Sequence, residues 1–493
     1  MNGKVILVGA GPGDKGLLTL RGAEVLQNAE VVVYDRLVGA DVLAMIPDDA
    51  ERIDVGKQSN RHPVPQERIN EILVEKAREG KQVVRLKGGD CYLFGRGGEE
   101  VEELVTAGVP FEVVPGVTSA MSAPAYAGIP VTHRDFCSSV HIVTAHAKRG
   151  GELHIDFESL LKTGGTLVFL MGVSALGFVM NGLLAAGAPP DLSAAVVENG
   201  TRYNQRRLVA TVGTLERKTE EMGLQSPAII LVGKVCTLAD TLDWFSKLPL
   251  HGKHVVVTRP RERAGTLADR LRALGAGVTE YPCIETVETP EAPLPDDLRA
   301  YHWVVLTSPA GVPAMRHALE AHGTDLRALY GCRFACIGQG TAKALAEYGI
   351  RADYVPEHFD AKHLAQGLCD IVHADERVLI LRAAQGTPEL TEILTAGGVA
   401  YDEAAVYETR YRSAQSDALT AHIAAGTVDF VTFTSASTVH AFVQSAPHAA
   451  VNTFRAVCIG DATAAAAQTY GMNIVTAKNA TIDDMIACIL EGS

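Results

Sequence analysis

No stretch of the 493-residue sequence reaches the roughly 18 consecutive apolar residues that a membrane-crossing helix needs, so no such span is expected. The apolar run after Met1-Asn2-Gly3-Lys4, Val5-Ile6-Leu7-Val8, is too short for the core of a secretory leader and lacks a small-residue cleavage pattern; a cytoplasmic location is expected. Cysteine is sparse: nine residues with no Cys-x-x-Cys pair, which suits a reducing compartment and excludes a disulfide-stapled scaffold. Cys332 and Cys336 stand four apart, but no His or Cys pair follows at ligand spacing, and His141 and His146 lack a third partner. No metal site is expected. Positive charge is in deficit, with 44 Lys and Arg against 58 Asp and Glu, a net charge of −14. Such a surface repels nucleic-acid backbones at long range, yet it leaves room for a local basic pocket that takes an anionic small molecule.

The sequence does contain the balance of a globular protein, 47% hydrophobic and 21% charged, and its length corresponds to about three domains. Short apolar runs alternate with helical periodicity. Val5 to Val8, Val31 to Tyr34, Val83 to Leu86, Val140 to Thr144, Leu167 to Met171 and Ile229 to Val232 read as buried strands. Pro65 starts a helix with Ile69, Ile72 and Leu73 inward. In Gly98 to Ala107, Val101, Leu104 and Val105 share an inner face, while Glu99, Glu100, Glu102 and Glu103 face water. The alternation predicts an α/β fold. A break at residues 246–252 divides the chain, and the first part is expected to comprise subdomains of about 1–115 and 116–245. Beyond the break the sequence echoes itself. Leu306-Thr307-Ser308 is similar to Phe433-Thr434-Ser435, and Ile337-Gly338-Gln339-Gly340-Thr341-Ala342 to Ile459-Gly460-Asp461-Ala462-Thr463-Ala464. Two copies are too few for a solenoid, so residues 253–493 read as a bilobal α/β domain with a cleft.

Three loops carry the chemistry. Gly9-Ala10-Gly11-Pro12-Gly13-Asp14 follows the first strand and precedes a helix expected near Gly16. A dinucleotide site would place glycine where Asp14 stands, and would then give Asp35 a ribose; an unliganded tight turn is the other reading of this loop alone. Lys87-Gly88-Gly89-Asp90-Cys91-Tyr92-Leu93-Phe94-Gly95-Arg96-Gly97-Gly98-Glu99-Glu100 is too rich in glycine for a packing element and suits close approach of a ligand. Pro115-Gly116-Val117-Thr118-Ser119-Ala120 opens a further helix, and loops at strand ends line the ligand crevice of open α/β sheets.

These loops, with Tyr34-Asp35-Arg36-Leu37-Val38, Gly56-Lys57, His62-Pro63-Val64-Pro65-Gln66, Glu198-Asn199-Gly200-Thr201 and Ser226-Pro227-Ala228, resemble uroporphyrinogen-III C-methyltransferase from about residue 3 to Lys234. Cys91 departs from that pattern, standing where the family commonly has proline, which predicts a less rigid loop. The resemblance implies S-adenosylmethionine held between two α/β subdomains by Pro12, Gly88, Gly89, Asp90, Leu93, Thr118, Ser119, Met171, Gly200 and Ala228. It further implies Asp35 as proton acceptor, Lys57 as proton donor, and a homodimer. Methylating a pyrrole carbon ends in loss of a proton from the macrocycle, so a carboxylate base is useful. The substrate carries eight carboxylates, and the loops supply Arg36, Lys57, Arg61, Arg96, Arg134 and Arg202 to meet them; each taken alone reads more readily as a solvated surface charge, and it is the cluster that is expected to bind.

From about Lys253 to Ala487 the sequence resembles uroporphyrinogen-III synthase, on Val257-Thr258-Arg259-Pro260, Val406-Tyr407-Glu408-Thr409 and the echoed segments. The resemblance implies one lobe of about 253–285 plus 408–493 and another of about 286–407. Crossings near Tyr281 to Glu285 and Ala404 to Thr409 would place Tyr407 at the hinge, facing the cleft. The expected reaction closes hydroxymethylbilane with inversion of its last ring. Loss of the terminal hydroxyl generates the electrophile, so the protein's task is folding the chain, with Tyr407 assisting hydroxyl departure. Thr307, Ser308, Thr341, Ser435, Ser437 and Thr463 are placed to bind acetate and propionate groups at helix starts, or to cap those helices. A bifunctional enzyme without metal, feeding cobalamin or siroheme synthesis through precorrin-2, is the main reading. A methyltransferase fused to an inert bilobal binding module, and a nucleotide-dependent oxidoreductase, are the alternatives.

Overall fold

The computed structural model describes residues 3–56, 64–146, 154–259, 261–386, 388–412, 417–446 and 449–493. The chain gathers into two compact units. One comprises Met1–Val255, Ala268–Thr279 and Gly492–Ser493, the other Val256–Leu267 and Glu280–Glu491.

The first unit holds two five-stranded sheets. Strands β1 (Lys4–Gly9), β2 (Val31–Tyr34), β3 (Glu51–Asp54), β4 (Gln82–Lys87) and β5 (Phe111–Val114) lie in the order β3-β2-β4-β1-β5, with every neighbouring pair parallel. Parallel sheets are covered on both faces, which is why β1 is a continuous apolar run: Val5, Leu7 and Val83 pack on one side, and Ile6, Val8 and Val84 on the other. Strands β6 (Val140–Thr144), β7 (Thr166–Leu170), β8 (Ser193–Glu198), β9 (Arg206–Thr211) and β10 (Ala228–Val232) follow in the order β6-β7-β10-β8-β9. Only β6 and β7 are parallel there; the other three pairs are antiparallel.

The helix expected near Gly16 begins later. The Asp14 side chain accepts from Gly16 N and caps a single 3-10 turn, Lys15–Leu17; Thr19 then caps the helix Leu20–Gln27. The helix Gln66–Arg78 begins after Pro65 as expected, with Ile69 and Leu73 buried. In the helix Gly97–Thr106 two expectations are corrected. Glu100 is fully buried, because β4 presents Arg85 and Lys87 to it, whereas Val105 is 62% exposed. Cys91, expected to loosen its loop, is buried in the core beside Leu104 and Val109.

Two further sheets follow. Strands β11 (His254–Val257), β12 (Gly277–Glu280), β13 (Ile284–Glu288), β14 (Trp303–Leu306), β15 (Arg333–Cys336), β16 (Arg377–Ala383), β17 (Ala400–Tyr411), β18 (Phe430–Phe433), β19 (Arg455–Cys458) and β20 (Asn473–Thr476) form the orders β12-β11-β18-β19-β20 and β13-β17-β16-β14-β15. The echo is structural. Ile337 N donates to Leu306 O across β14 and β15, and Ile459 N donates to Phe433 O across β18 and β19, at 3.1 and 3.0 Å. Both junctions are strand–loop–helix units on a parallel pair. The sheet of β13 to β17 extends beyond the expected 286–407, because β13 and β17 pair antiparallel from Ile284↔Tyr411 to Glu288↔Tyr407.

Candidate active site

A cavity of about 600 Å³ opens in the first unit, lined from both of its sheets. Of the residues named for the cofactor, Pro12, Gly88, Gly89, Leu93, Ser119, Met171, Gly200 and Ala228 line it. Asp90 and Thr118 do not; they hold the loops together. The Asp90 carboxylate accepts from Tyr92 N and Leu93 N through Oδ1, and from Gly116 N through Oδ2, at 2.8, 2.9 and 3.1 Å. Thr118 caps the helix Ser119–Tyr126 by accepting from Ala120 N. Gly11 and Gly89 exchange two backbone hydrogen bonds, 3.1 and 2.7 Å, which joins the first two glycine loops. Asp14 links onward: its Oδ2 accepts from Tyr126 Oη at 2.8 Å, and its backbone N donates to Thr201 Oγ1 at 3.3 Å. The carboxylate that breaks the dinucleotide pattern is thus a structural tie.

Left-handed backbone at non-glycine residues is confined to this place among the described residues. Among the described residues, the non-glycine positions with positive φ are Phe94, Arg96, Met171, Asn199 and Thr201, at 49° to 69°. The first four line the cavity, and Thr201 lies between the lining residues Gly200 and Arg202. Each costs about 1–3 kcal/mol and persists only where surrounding structure imposes it, so their concentration marks a functional site. Met171 was expected at the end of a strand; it instead leaves β7 in the left-handed region and turns into the cavity wall. Gly89 has φ +71°, and an added Cβ would meet nothing nearer than Ser119 N at 3.9 Å, so the glycine leaves open space for a ligand against bare backbone.

Charge lies along one side. Asp35 lines the cavity at the end of β2, its Oδ1 accepting from Leu37 N at 3.1 Å. Arg85 and Lys87, two apart on β4, point to the same face and are 3% and 4% exposed. Arg85 Nη2 lies 3.7 Å from Asp35 Oδ2. Glu100 Oε1 accepts from Lys87 Nζ at 2.8 Å, Arg85 Nε at 3.2 Å and Gln66 Nε2 at 3.0 Å. Burial lowers the Lys87 amine from the usual lysine range, and Arg85 lowers it further, against the pull of Glu100. The sequence reading missed Arg85, Lys87 and Glu100; three ionisable residues next to the glycine loop were the available signal. Of the arginines named, Arg36, Arg96 and Arg202 line the cavity. Arg202 donates to Leu37 O, and burial together with the Arg36 charge lowers its pKa. Arg96 pairs with Glu99. Arg134 is exposed and does not line the cavity, because it follows the turn at His133. Lys57 and Arg61 lie outside the described residues. A second cavity, also about 600 Å³, reaches Gly164, Gly165 and Ala185 to Pro189 and is lined by none of the candidate site residues named from the sequence.

In the second unit Tyr407 differs from its expected place. It lies inside β17, paired with Glu288 and Ala383, and is 6% exposed. The first passage between the two sheets lies at Tyr281 to Cys283, where one was expected; the second begins at Arg412, beyond the expected Ala404 to Thr409, and Arg412 N donates to Cys283 O at 2.9 Å. The Tyr407 hydroxyl meets Ser308 Oγ at 2.7 Å, and Ser308 Oγ also accepts from Gly311 N at 3.2 Å. Thr307 is half-buried beside it. Ser435 caps the helix Ala436–Ser445 in a reciprocal pair with Thr438, and its Oγ meets Ser437 Oγ at 2.8 Å. Thr341 and Thr463 are not caps. Gly338 and Gly460 hold those positions, and both threonines are buried in the first turn of their helices.

The sequence belongs to recognisable families. Residues 4–216 match the family of tetrapyrrole (corrin/porphyrin) methylases, and residues 265–487 match uroporphyrinogen-III synthase HemD. The chain is a two-part tetrapyrrole enzyme, a methyltransferase followed by a synthase. It is 51% identical over 494 residues to the porphyrin biosynthesis protein HemD of Ruminiclostridium josui, covering 99% of this chain and 98% of that one, and it belongs to that family. Siroheme synthase 2 of Klebsiella pneumoniae is 52% identical over 244 residues, 50% of this chain and 52% of the relative, so the chain matches only about half the length of that protein. A uroporphyrin-III C-methyl transferase from Thermus thermophilus, solved with S-adenyl homocysteine, is 40% identical and covers 48% of this chain and 100% of its own, with a TM-score of 0.42.

Proposed function

We propose that the chain closes hydroxymethylbilane to uroporphyrinogen III with inversion of ring D in its second part, and methylates that product at C-2 and C-7 to precorrin-2 in its first. The family matches leave residues 217–264 between them, which supports a functional division at residues 246–252. The observation that carries the methyltransferase reading is the 600 Å³ cavity, where the glycine loops, the strained residues and Asp35 meet. Its bare Gly88–Gly89 backbone and the open space at Gly89 fit a folded nucleoside–amino-acid conjugate. Bound S-adenosylmethionine supplies an electrophilic methyl group.

The chain's residues do the rest. Pro12, Gly88, Gly89, Leu93, Ser119, Met171, Gly200 and Ala228 hold the donor, with Asp90 and Thr118 fixing their loops. Asp35 accepts the proton that the methylated macrocycle loses, and Lys57 acts as proton donor. Arg36, Arg96 and Arg202 take substrate carboxylates, joined by Arg61; the mutual repulsion of Arg36 and Arg202 favours an anion between them. Arg134 fits this role least, being exposed away from the cavity. In the second part Tyr407, oriented by Ser308, assists departure of the terminal hydroxyl, while Thr307, Ser437 and the helix starts near Thr341, Ser435 and Thr463 bind acid groups. The working form is a cytoplasmic homodimer. Precorrin-2 passes to cobalamin or siroheme synthesis.

The test is a coupled assay of the purified chain with hydroxymethylbilane and S-adenosylmethionine. Precorrin-2 is expected. Formation of only the uninverted type I macrocycle would show the second part to be an inert binding module, and NADH binding without methyl transfer would overturn the methyltransferase reading.

A further inference from the structure

Lys87 is a buried cation with unspent donor capacity. Its ammonium carries three N–H groups, and Glu100 Oε1 is the acceptor that the structure gives it among the described residues. Glu100 is equally lopsided: Oε1 takes three donors, while Oε2 is buried with no hydrogen-bond partner. A buried ion pair that served packing alone would satisfy both partners, since half-satisfied networks in a low dielectric are costly. Here the cluster stays open on the side where Arg85 and Lys87 line the cavity. Arg85 spends its Nη1 on the carbonyls of Val33 and Leu86 and turns Nη2 toward Asp35 at 3.7 Å, longer than a direct hydrogen bond.

The charges sum in the same direction. Arg85 and Lys87 are offset by Glu100 and Asp35 while Asp35 is ionised. Once Asp35 has taken a proton, one positive charge at the wall is left without a counter-charge. A carboxylate delivered by a ligand supplies it.

We infer that Lys87, seconded by Arg85, forms an internal cationic subsite that receives a carboxylate of a ligand bound in the cavity. The inference rests on the methyltransferase reading, which offers two carriers of such a group: an acetate or propionate arm of the macrocycle, and the amino-acid end of the methyl donor. Position favours the macrocycle, because Lys87 shares its wall with Asp35, the base for the macrocycle's proton.

The experiment uses the full chain with uroporphyrinogen III and measures three quantities for Lys87→Met and Lys87→Arg: KM for the macrocycle, Kd for S-adenosylhomocysteine, and Kd for its decarboxylated analogue. Lys87→Met is expected to raise KM about tenfold and to leave the Kd for S-adenosylhomocysteine within twofold, whereas Lys87→Arg keeps KM within threefold. Arginine fits the site less well than methionine, so rescue by charge separates binding from packing. A tenfold weaker Kd for S-adenosylhomocysteine in Lys87→Met, with no change for the decarboxylated analogue, would assign the same subsite to the donor's carboxylate. Unchanged KM and Kd in a folded Lys87→Met overturn the inference. Should Lys87→Met fail to fold, Lys87→Gln takes its place: a tenfold rise in KM with an unchanged thermal midpoint supports the subsite, and an unchanged KM overturns it. Absence of any methyl transfer by the unmodified chain would instead sink the functional reading.

Discussion

Burial raises the thiols of Cys91, Cys336 and Cys458 to about 12, against ~8.5 for a free cysteine. The unfolded chain therefore releases these protons well before the folded chain does. Their contribution to stability is fully present below ~8.5 and is lost as pH climbs from there toward 12. The urea midpoint is expected to fall steadily between pH 8 and pH 10.5, and Cys91→Ala should make that fall shallower; an identical slope in the variant would refute the assignment. The same thiols should resist iodoacetamide at pH 8 until the chain is unfolded.

At the scale of the element, backbone geometry and helix ends make separate predictions. Gly89→Ala forces a side chain into the left-handed region at a cost of about 1 kcal/mol, and it plants a methyl group in the cavity. Thermal stability should drop slightly, while affinity for S-adenosylhomocysteine falls at least tenfold by calorimetry. Ser435→Ala removes a reciprocal cap and should cost about 1 kcal/mol in urea unfolding; retention of more than half the synthase activity would mark Ser435 as a cap and little else. The strands and the echo were legible because a buried parallel strand is a continuous apolar run and a repeated strand–loop–helix junction repeats its residues. The environment of Glu100 was not legible. Helix periodicity scores a carboxylate as solvent-facing, and only the sheet register, which stacks Arg85 and Lys87 over that helix, reverses the reading. Tyr407 was misplaced for a related reason. The antiparallel partner of β17 is β13, more than a hundred residues earlier, and no local pattern announces where their ladder stops. The left-handed turns at Phe94, Arg96, Met171 and Thr201 were likewise hidden, since none of these side chains favours that conformation; tertiary packing imposes it, and only Asn199 carries a residue type that tolerates it readily.

For the molecule as a whole, the two chemistries reside in separate sheet systems and should fail independently. Asp35→Asn is expected to lower methyl transfer by at least a hundredfold, the usual yield of a positioned general base, while uroporphyrinogen III still forms from hydroxymethylbilane. Tyr407→Phe should do the reverse, sparing methylation when uroporphyrinogen III is supplied directly. Loss of both activities in either variant, with the thermal midpoint unchanged, would contradict this separation.

The two sheets of the synthase part communicate through Tyr281 to Cys283 and Arg412, and the bond from Arg412 N to Cys283 O makes these two passages a laced pair, not independent threads. A double ribbon bends easily across its flat side and stiffly along its width. Any swing of one sheet against the other is therefore expected to follow that single compliant direction, as a strap allows.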